Sequence, residues 1–229
     1  MISPKEYLQK VISFFQASGN PEIAEGQMNY MRNKFEFYGV KAPGWVKFPK
    51  EIMKSEGIFQ NEKLKEFVRL CLKEEHREIH YFGIQMVEKA IKKETENFIE
   101  FLEELILTHS WWDSVDWISK MVGWHFMRFP HQISEVTERW ISSENIWLQR
   151  MAIIFQRYKN YPTDEKMLFD YILRMKNSEE FFIQKGAGWA LRDHSKSNPD
   201  EVVDFIKNNK LKPLTKREGL KWLKKNGVL

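Results

Sequence analysis

The chain carries one cysteine, Cys71, among 229 residues. That excludes a disulfide framework and any zinc site built from cysteine alone. Turn formers are scarce: eleven glycines and eight prolines fall below the roughly 12% of average usage. Their scarcity favours helices with short connections over many strands. No apolar run approaches the roughly 20 residues that cross a bilayer, so no membrane partner is expected. Charges interrupt every apolar stretch near the N-terminus, which lacks a signal-peptide profile, and a cytoplasmic location follows as an expectation. What remains suffices for a core, with 42% hydrophobic and 30% charged residues and no expectation of wholesale disorder.

The formal net charge is only +4, but the basic residues are clustered. Between 207 and 225 lie Lys207, Lys210, Lys212, Lys216, Arg217, Lys221, Lys224 and Lys225, opposed only by Glu218. A second stretch carries Arg32, Lys34, Lys41, Lys47, Lys50 and Lys54 against Glu36 and Glu51. Such patches suit a polyanion, because each phosphate contact releases condensed counterions. A solvated helix face explains them equally well from charge alone.

Helix starts are well marked. Ser3-Pro4-Lys5-Glu6 reads as a capping box with proline at the first helical position, and Thr215 with Glu218 reads as another. Asn20-Pro21 and Asn198-Pro199 combine a cap with proline. Apolar residues recur at steps of three and four, as in Phe98, Phe101, Leu102 and Leu105. About a dozen helices and no strand are expected, with Gly39–Gly44 as a Gly/Pro-rich loop. Three segments place a small residue, Gly83, Ala152 or Ala187, four positions after an aliphatic one; Asp116 falls in the same register. The separations of 33, 36 and 35 residues match helix-pair repeats. The expected architecture is therefore all-α: one domain over 1–229, a superhelical array of HEAT-like antiparallel helix pairs, an α-α solenoid with a concave basic groove.

The most unusual segment is Ser110-Trp111-Trp112-Asp113-Ser114-Val115-Asp116-Trp117. On a helix, Trp112 and Asp116 lie one turn apart on one face. A carboxylate beside indoles is costly to bury without a partner. The plainer reading makes the tryptophans core and Asp113 a residue favoured by the helix dipole. A second segment, Phe182-Ile183-Gln184-Lys185-Gly186-Ala187-Gly188-Trp189-Ala190-Leu191-Arg192, puts two glycines in a helix, each unfavourable by about 1 kcal/mol relative to alanine. Close helix packing or access of a bulky ligand to Trp189 would offset that. A third, Asn145-Ile146-Trp147-Leu148-Gln149-Arg150, places Arg150 where it could meet a phosphate.

These three segments, in this order, closely resemble the AlkD-type DNA alkylation-repair glycosylases, and the resemblance runs from Tyr30 to Glu218. It implies HEAT-like repeats and hydrolysis of the N-glycosidic bond of cationic N3- or N7-alkylated purines in duplex DNA, as a monofunctional glycosylase in base-excision repair. It assigns the catalytic carboxylate to Asp116 and the base-flanking indoles to Trp112 and Trp189. Tyr30, Arg150 and Arg192 match DNA-contacting positions; Lys185, Lys216 and Arg217 are candidate phosphate contacts beside them. The family's arginine soon after the proline is replaced here by Gly44-Trp45-Val46. A monomer in a bacterial-type cytosol, associated with the nucleoid and needing no cofactor, is the corresponding expectation.

Rival functions are a DNA-binding relative without catalysis, or a HEAT-type protein scaffold that would need neither Asp116 beside Trp112 nor the basic stretches. His76 and His80 lack the zincin order and a carboxylate partner, so no metal site is expected. Asp193-His194-Ser195 is adjacent in sequence and cannot form a triad. No glycine-rich phosphate loop supports a nucleotide cofactor.

Overall fold

A computed structural model describes residues 2–158 and 161–229, leaving aside the side chains of residues 42, 43 and 46. The described residues are helical throughout, with thirteen α-helices and three short 3₁₀ turns. The nearest approach to a sheet is a single parallel bridge between Glu36 and His76. No helix among them is long and apolar enough to cross a membrane. The chain divides into two compact units, residues 1–95 and 96–229.

The first unit contains α1 (Pro4–Ser18), α2 (Pro21–Tyr30), α3 (Ala42–Glu56), α4 (Asn61–Leu72) and α5 (Arg77–Ala90). The capping box at Ser3 forms: its hydroxyl accepts the Glu6 N–H, and the Glu6 carboxylate accepts the Ser3 N–H. Tyr7, Phe59, Phe67 and Phe82 pack edge-to-face or tilted in the core, at centroid distances of 5.1 to 6.0 Å. Each such ring contributes about 1.5–3 kcal/mol by leaving water. Gly83 has the role its register suggests, since a Cβ there would stand 3.0 Å from Cys71 Cβ on α4. The expected loop at 39–44 is shorter than its composition implies, because α3 starts at Ala42 with proline in its first turn. Gly39 has φ +83°, and a Cβ would fall 2.0 Å from the Asn20 carbonyl oxygen. The buried Glu78 carboxylate accepts the N–H groups of Tyr38, Gly39 and Val40 and so fixes the turn.

The second unit contains α6 (Phe98–Leu107), α7 (Trp112–Arg128), α8 (Ile133–Ile141), α9 (Ile146–Ile154), α10 (Glu165–Arg174), α11 (Phe181–His194), α12 (Pro199–Asn208) and α13 (Pro213–Lys225). Sequential pairs pack together, α6 on α7 and α8 on α9, while α9 also meets α7 and α11. The closest partner of α11 is α13. Phe126, Trp140 and Phe155 build a core between these helices, and the buried Thr137 and Tyr171 hydroxyls bond at 2.8 Å. Thr215 and Glu218 do not cap α13. Lys212 occupies the cap position, Thr215 donates to the Gln184 carbonyl at 3.1 Å, and Glu218 turns to α11. The polar groups of α11, the Gln184 carbonyl for Thr215 and the Lys185 and Arg192 cations for Glu218, draw both residues away from the cap and override the local pattern.

Candidate active site

Asp116 lies in the second turn of α7, one turn after Trp112. Its carboxylate meets Arg150 of α9 in a bidentate fork: Nε donates to Oδ1 at 2.9 Å and Nη2 to Oδ2 at 2.9 Å. Arg150 Nη1 donates to the Phe182 carbonyl at the start of α11, at 2.5 Å. The Arg150 side chain is only 2% exposed, whereas 16% of the Asp116 side chain remains open. This corrects the expectation that Arg150 faces a phosphate: its guanidinium is buried and holds the carboxylate. Burial pushes the Asp116 carboxyl above its ordinary 3.8, while the charge and hydrogen bonds of Arg150 pull against that rise.

The two glycines of α11 have separate structural reasons, and neither is the approach of a ligand to Trp189. A Cβ at Gly186 would stand 2.8 Å from Arg150 Nη1, so glycine leaves the guanidinium its place. At Gly188 it would stand 2.6 Å from Glu218 Cβ and 2.8 Å from the Thr215 carbonyl oxygen. There, glycine permits α13 to lie close.

Trp189 is half-buried on α11. The guanidinium carbon of Arg157, from the 3₁₀ turn Phe155–Arg157 after α9, stands 3.0 Å from the centre of its ring. Arg157 Nη2 lies 2.5 Å from Asp193 Oδ2, and Lys196 holds Asp193 Oδ1 at 2.6 Å. Burial holds the Arg157 pKa down, to about 10, against the opposing pull of Asp193 and Asp116. Asp116 and Arg157 interact electrostatically, so the carboxylate and Trp189 belong to one neighbourhood. Arg157 has a weak sequence signal: it follows Arg150 by seven residues, two helical turns. The spacing alone does not show which of the two reaches the indole.

Trp111 meets Trp147 and Phe182 edge-on at 5.8 and 5.0 Å. Trp147 is buried, whereas Trp111, Trp112 and Trp117, which the plainer reading makes core, are only half-buried. Lys120, one turn after Asp116, stands 6.0 Å from the Trp117 ring and 5.6 Å from the Trp124 ring.

Lys185 and Arg192 flank Trp189 by one turn on either side and share the buried Glu218 carboxylate, at 2.8 and 2.9 Å. Burial acts to raise the pKa of Glu218, but the two cations outweigh it and hold the pKa below the ordinary value. Lys185 remains 40% and Arg192 23% exposed, with Lys216 half-buried and Arg217 exposed on α13. Tyr30 closes α2 in the first unit and is 70% exposed. Asp193, His194 and Ser195 go to separate partners, namely Arg157 and Lys196, Glu165, and the Arg192 carbonyl. Among the described residues no histidine, cysteine and carboxylate group has metal-site geometry.

Helix pairs thus present one partly open carboxylate, clasped by a buried arginine and neighboured by indoles and basic side chains. The family described as DNA alkylation repair enzyme matches residues 11–223, and the chain belongs to it. A solved structure described as a predicted DNA alkylation repair enzyme from Enterococcus faecalis is 31% identical, with a TM-score of 0.83 over 90% of this chain and 97% of that one. Two structures from Streptococcus mutans share the fold at 17% identity. AlkD2 covers 97% of this chain and 98% of its own at a TM-score of 0.65; smu.31 covers 78% and 96% at 0.58. No curated protein matches.

Proposed function

We propose that the protein is a monofunctional DNA glycosylase that removes cationic N3- and N7-alkylpurines from duplex DNA. The observation that carries this reading is the Asp116 carboxylate, fixed by the Arg150 fork yet partly open, one helical turn from Trp112. An alkylated purine already bears the positive charge of a good leaving group, so it needs little acid catalysis. As the C1′–N bond breaks, its electron pair neutralises the purine and positive charge grows on the deoxyribose. Asp116 stabilises that charge, as a carboxylate does in glycoside hydrolysis. Water then adds to C1′ and gives up a proton, leaving an abasic site. Trp112 and Trp189 favour a cationic base over a neutral one, by about 0.5–2 kcal/mol per ring.

The test is release of free N7-methylguanine or N3-methyladenine from methylated duplex DNA. Asp116→Asn lowers the release rate about a hundredfold or more and leaves duplex affinity within about threefold of wild type. Equal losses of rate and affinity would show that the carboxylate serves binding alone. Borohydride added during turnover traps no covalent protein–DNA adduct, because hydrolysis passes through no Schiff base. A trapped adduct would make Lys120 the residue to replace and would overturn the monofunctional assignment.

A further inference from the structure

The base-flanking role proposed for Trp189 meets an obstacle. One face of the ring already carries a cation, the Arg157 guanidinium at 3.0 Å. Arg157 is also poorly satisfied for a buried arginine: Nη2 has Asp193, but Nε is buried and has no hydrogen-bond partner among the described residues. A guanidinium in such a place is attracted to the indole and to the two nearby carboxylates, while burial opposes its charge. Beside it lies a cavity of about 720 Å³ whose lining includes Arg157, Asp193, Tyr158, Tyr161, Lys196 and Asn198. The side chain therefore has space to move into and polar groups to meet there. Its counterion Asp193 lines the same cavity, so the pair need not break for the guanidinium to leave the ring.

We infer that Arg157 is a placeholder cation: it occupies the indole face and the carboxylate field that a cationic purine takes, and it withdraws into the adjacent cavity when such a base arrives. This rests on the reading of Trp189 as base-flanking. It assigns to Arg157 an effect on lesion affinity opposite to that of an ordinary basic residue in a DNA-binding protein. Phosphate-contacting arginines strengthen binding to damaged and undamaged duplex alike and add about one to the salt slope. Arg157 instead weakens lesion-specific binding, since the bound cation must displace it and would be repelled by it nearby.

The test uses the full chain and two duplexes of one sequence, one holding guanine and one a 2′-fluorinated 7-methylguanine nucleotide, a cationic base that resists release. The quantity read is the preference, the affinity for the cationic duplex divided by that for the plain one. Arg157→Gln raises this preference about three- to tenfold, within the range of one cation–π contact, and Arg157→Lys, which keeps the charge, stays within about twofold of wild type. A lower preference in Arg157→Gln, or parallel weakening on both duplexes with a smaller salt slope, overturns the inference. So does an unchanged preference with a lowered melting temperature, which would make Arg157 a structural clip between the 3₁₀ turn and α11. The measurement needs no turnover. Base release without the rise in preference refutes the placeholder alone, whereas the rise without base release refutes the glycosylase reading and leaves the placeholder standing.

Discussion

At the scale of single residues the site is governed by how Asp116 and Arg150 share one proton-binding problem. Burial favours the neutral acid and the fork favours the anion, and burial is the larger effect. Because the folded pKa is raised, the native state keeps a proton that the unfolded chain has lost just above pH 3.8. This carboxyl therefore contributes most to stability below that pH, and its contribution is lost as pH rises through the folded pKa. Under the proposed function activity runs the other way, since only the anion stabilises a cationic sugar. The base-release rate is expected to fall on acidification with a midpoint above 3.8, and a pH–rate profile reads it. In Arg150→Gln the fork is gone, burial is opposed only by the weaker pull of Arg157, and the midpoint moves to higher pH. An acid limb that stays in place would mean that another group titrates. The same variant loses about 3 kcal/mol or more of folding stability, because an uncompensated carboxylate is left in a mostly buried place.

Much of this neighbourhood is legible in the sequence. Trp112 and Asp116 share a helix face by spacing alone, and Asp116 stands out because it takes a register position that Gly83, Ala152 and Ala187 fill with small residues. The partner of Arg150 is not legible. A guanidinium on a helix reads the same whether it faces solvent or a carboxylate 34 positions away, and only the packing of α9 on α7 and α11 decides.

At the scale of elements, α11 carries two close approaches that glycine alone allows. The glycines that weaken it as an isolated helix make room for an arginine at one position and a whole neighbouring helix at the other. Gly188→Ala forces a methyl against the Thr215 carbonyl oxygen and Glu218 Cβ, and should lower stability by about 1–3 kcal/mol, read as a fall in denaturant midpoint. Gly186→Ala presses on Arg150 Nη1 and should lower the base-release rate more than it lowers stability, because the displaced side chain holds the carboxylate. The sequence marks both positions as unusual but does not separate their reasons, since glycine spacing carries no information on which neighbour arrives. The Thr215–Glu218 pattern misleads for a related reason. A capping motif is a local preference worth about 1 kcal/mol, and a buried carboxylate between two cations outweighs it.

At the scale of the whole molecule, the all-helical architecture is legible because turn formers are few and apolar residues recur at helical steps, and the 33- to 36-residue period because three of the four register positions hold small residues. The use of charge is legible only in part. The basic C-terminal stretch is real, but Lys185 and Arg192 spend part of their charge on Glu218. Arg217 is exposed; under the proposed function it meets a phosphate, and Arg217→Ala should reduce the salt slope of duplex binding by about 0.9. The reduction is the same on damaged and undamaged DNA, as titrations at several salt concentrations would show.

One side chain reaches three alternate helices: Arg150 grows from α9, grips α7 through Asp116 and touches α11 at the Phe182 carbonyl. The three rods are thereby pinned at a common rivet, and any slippage between them is transmitted straight to the Asp116 carboxylate oxygens. Lesions in the scaffold far from the rivet should thus dull the enzyme before they melt it.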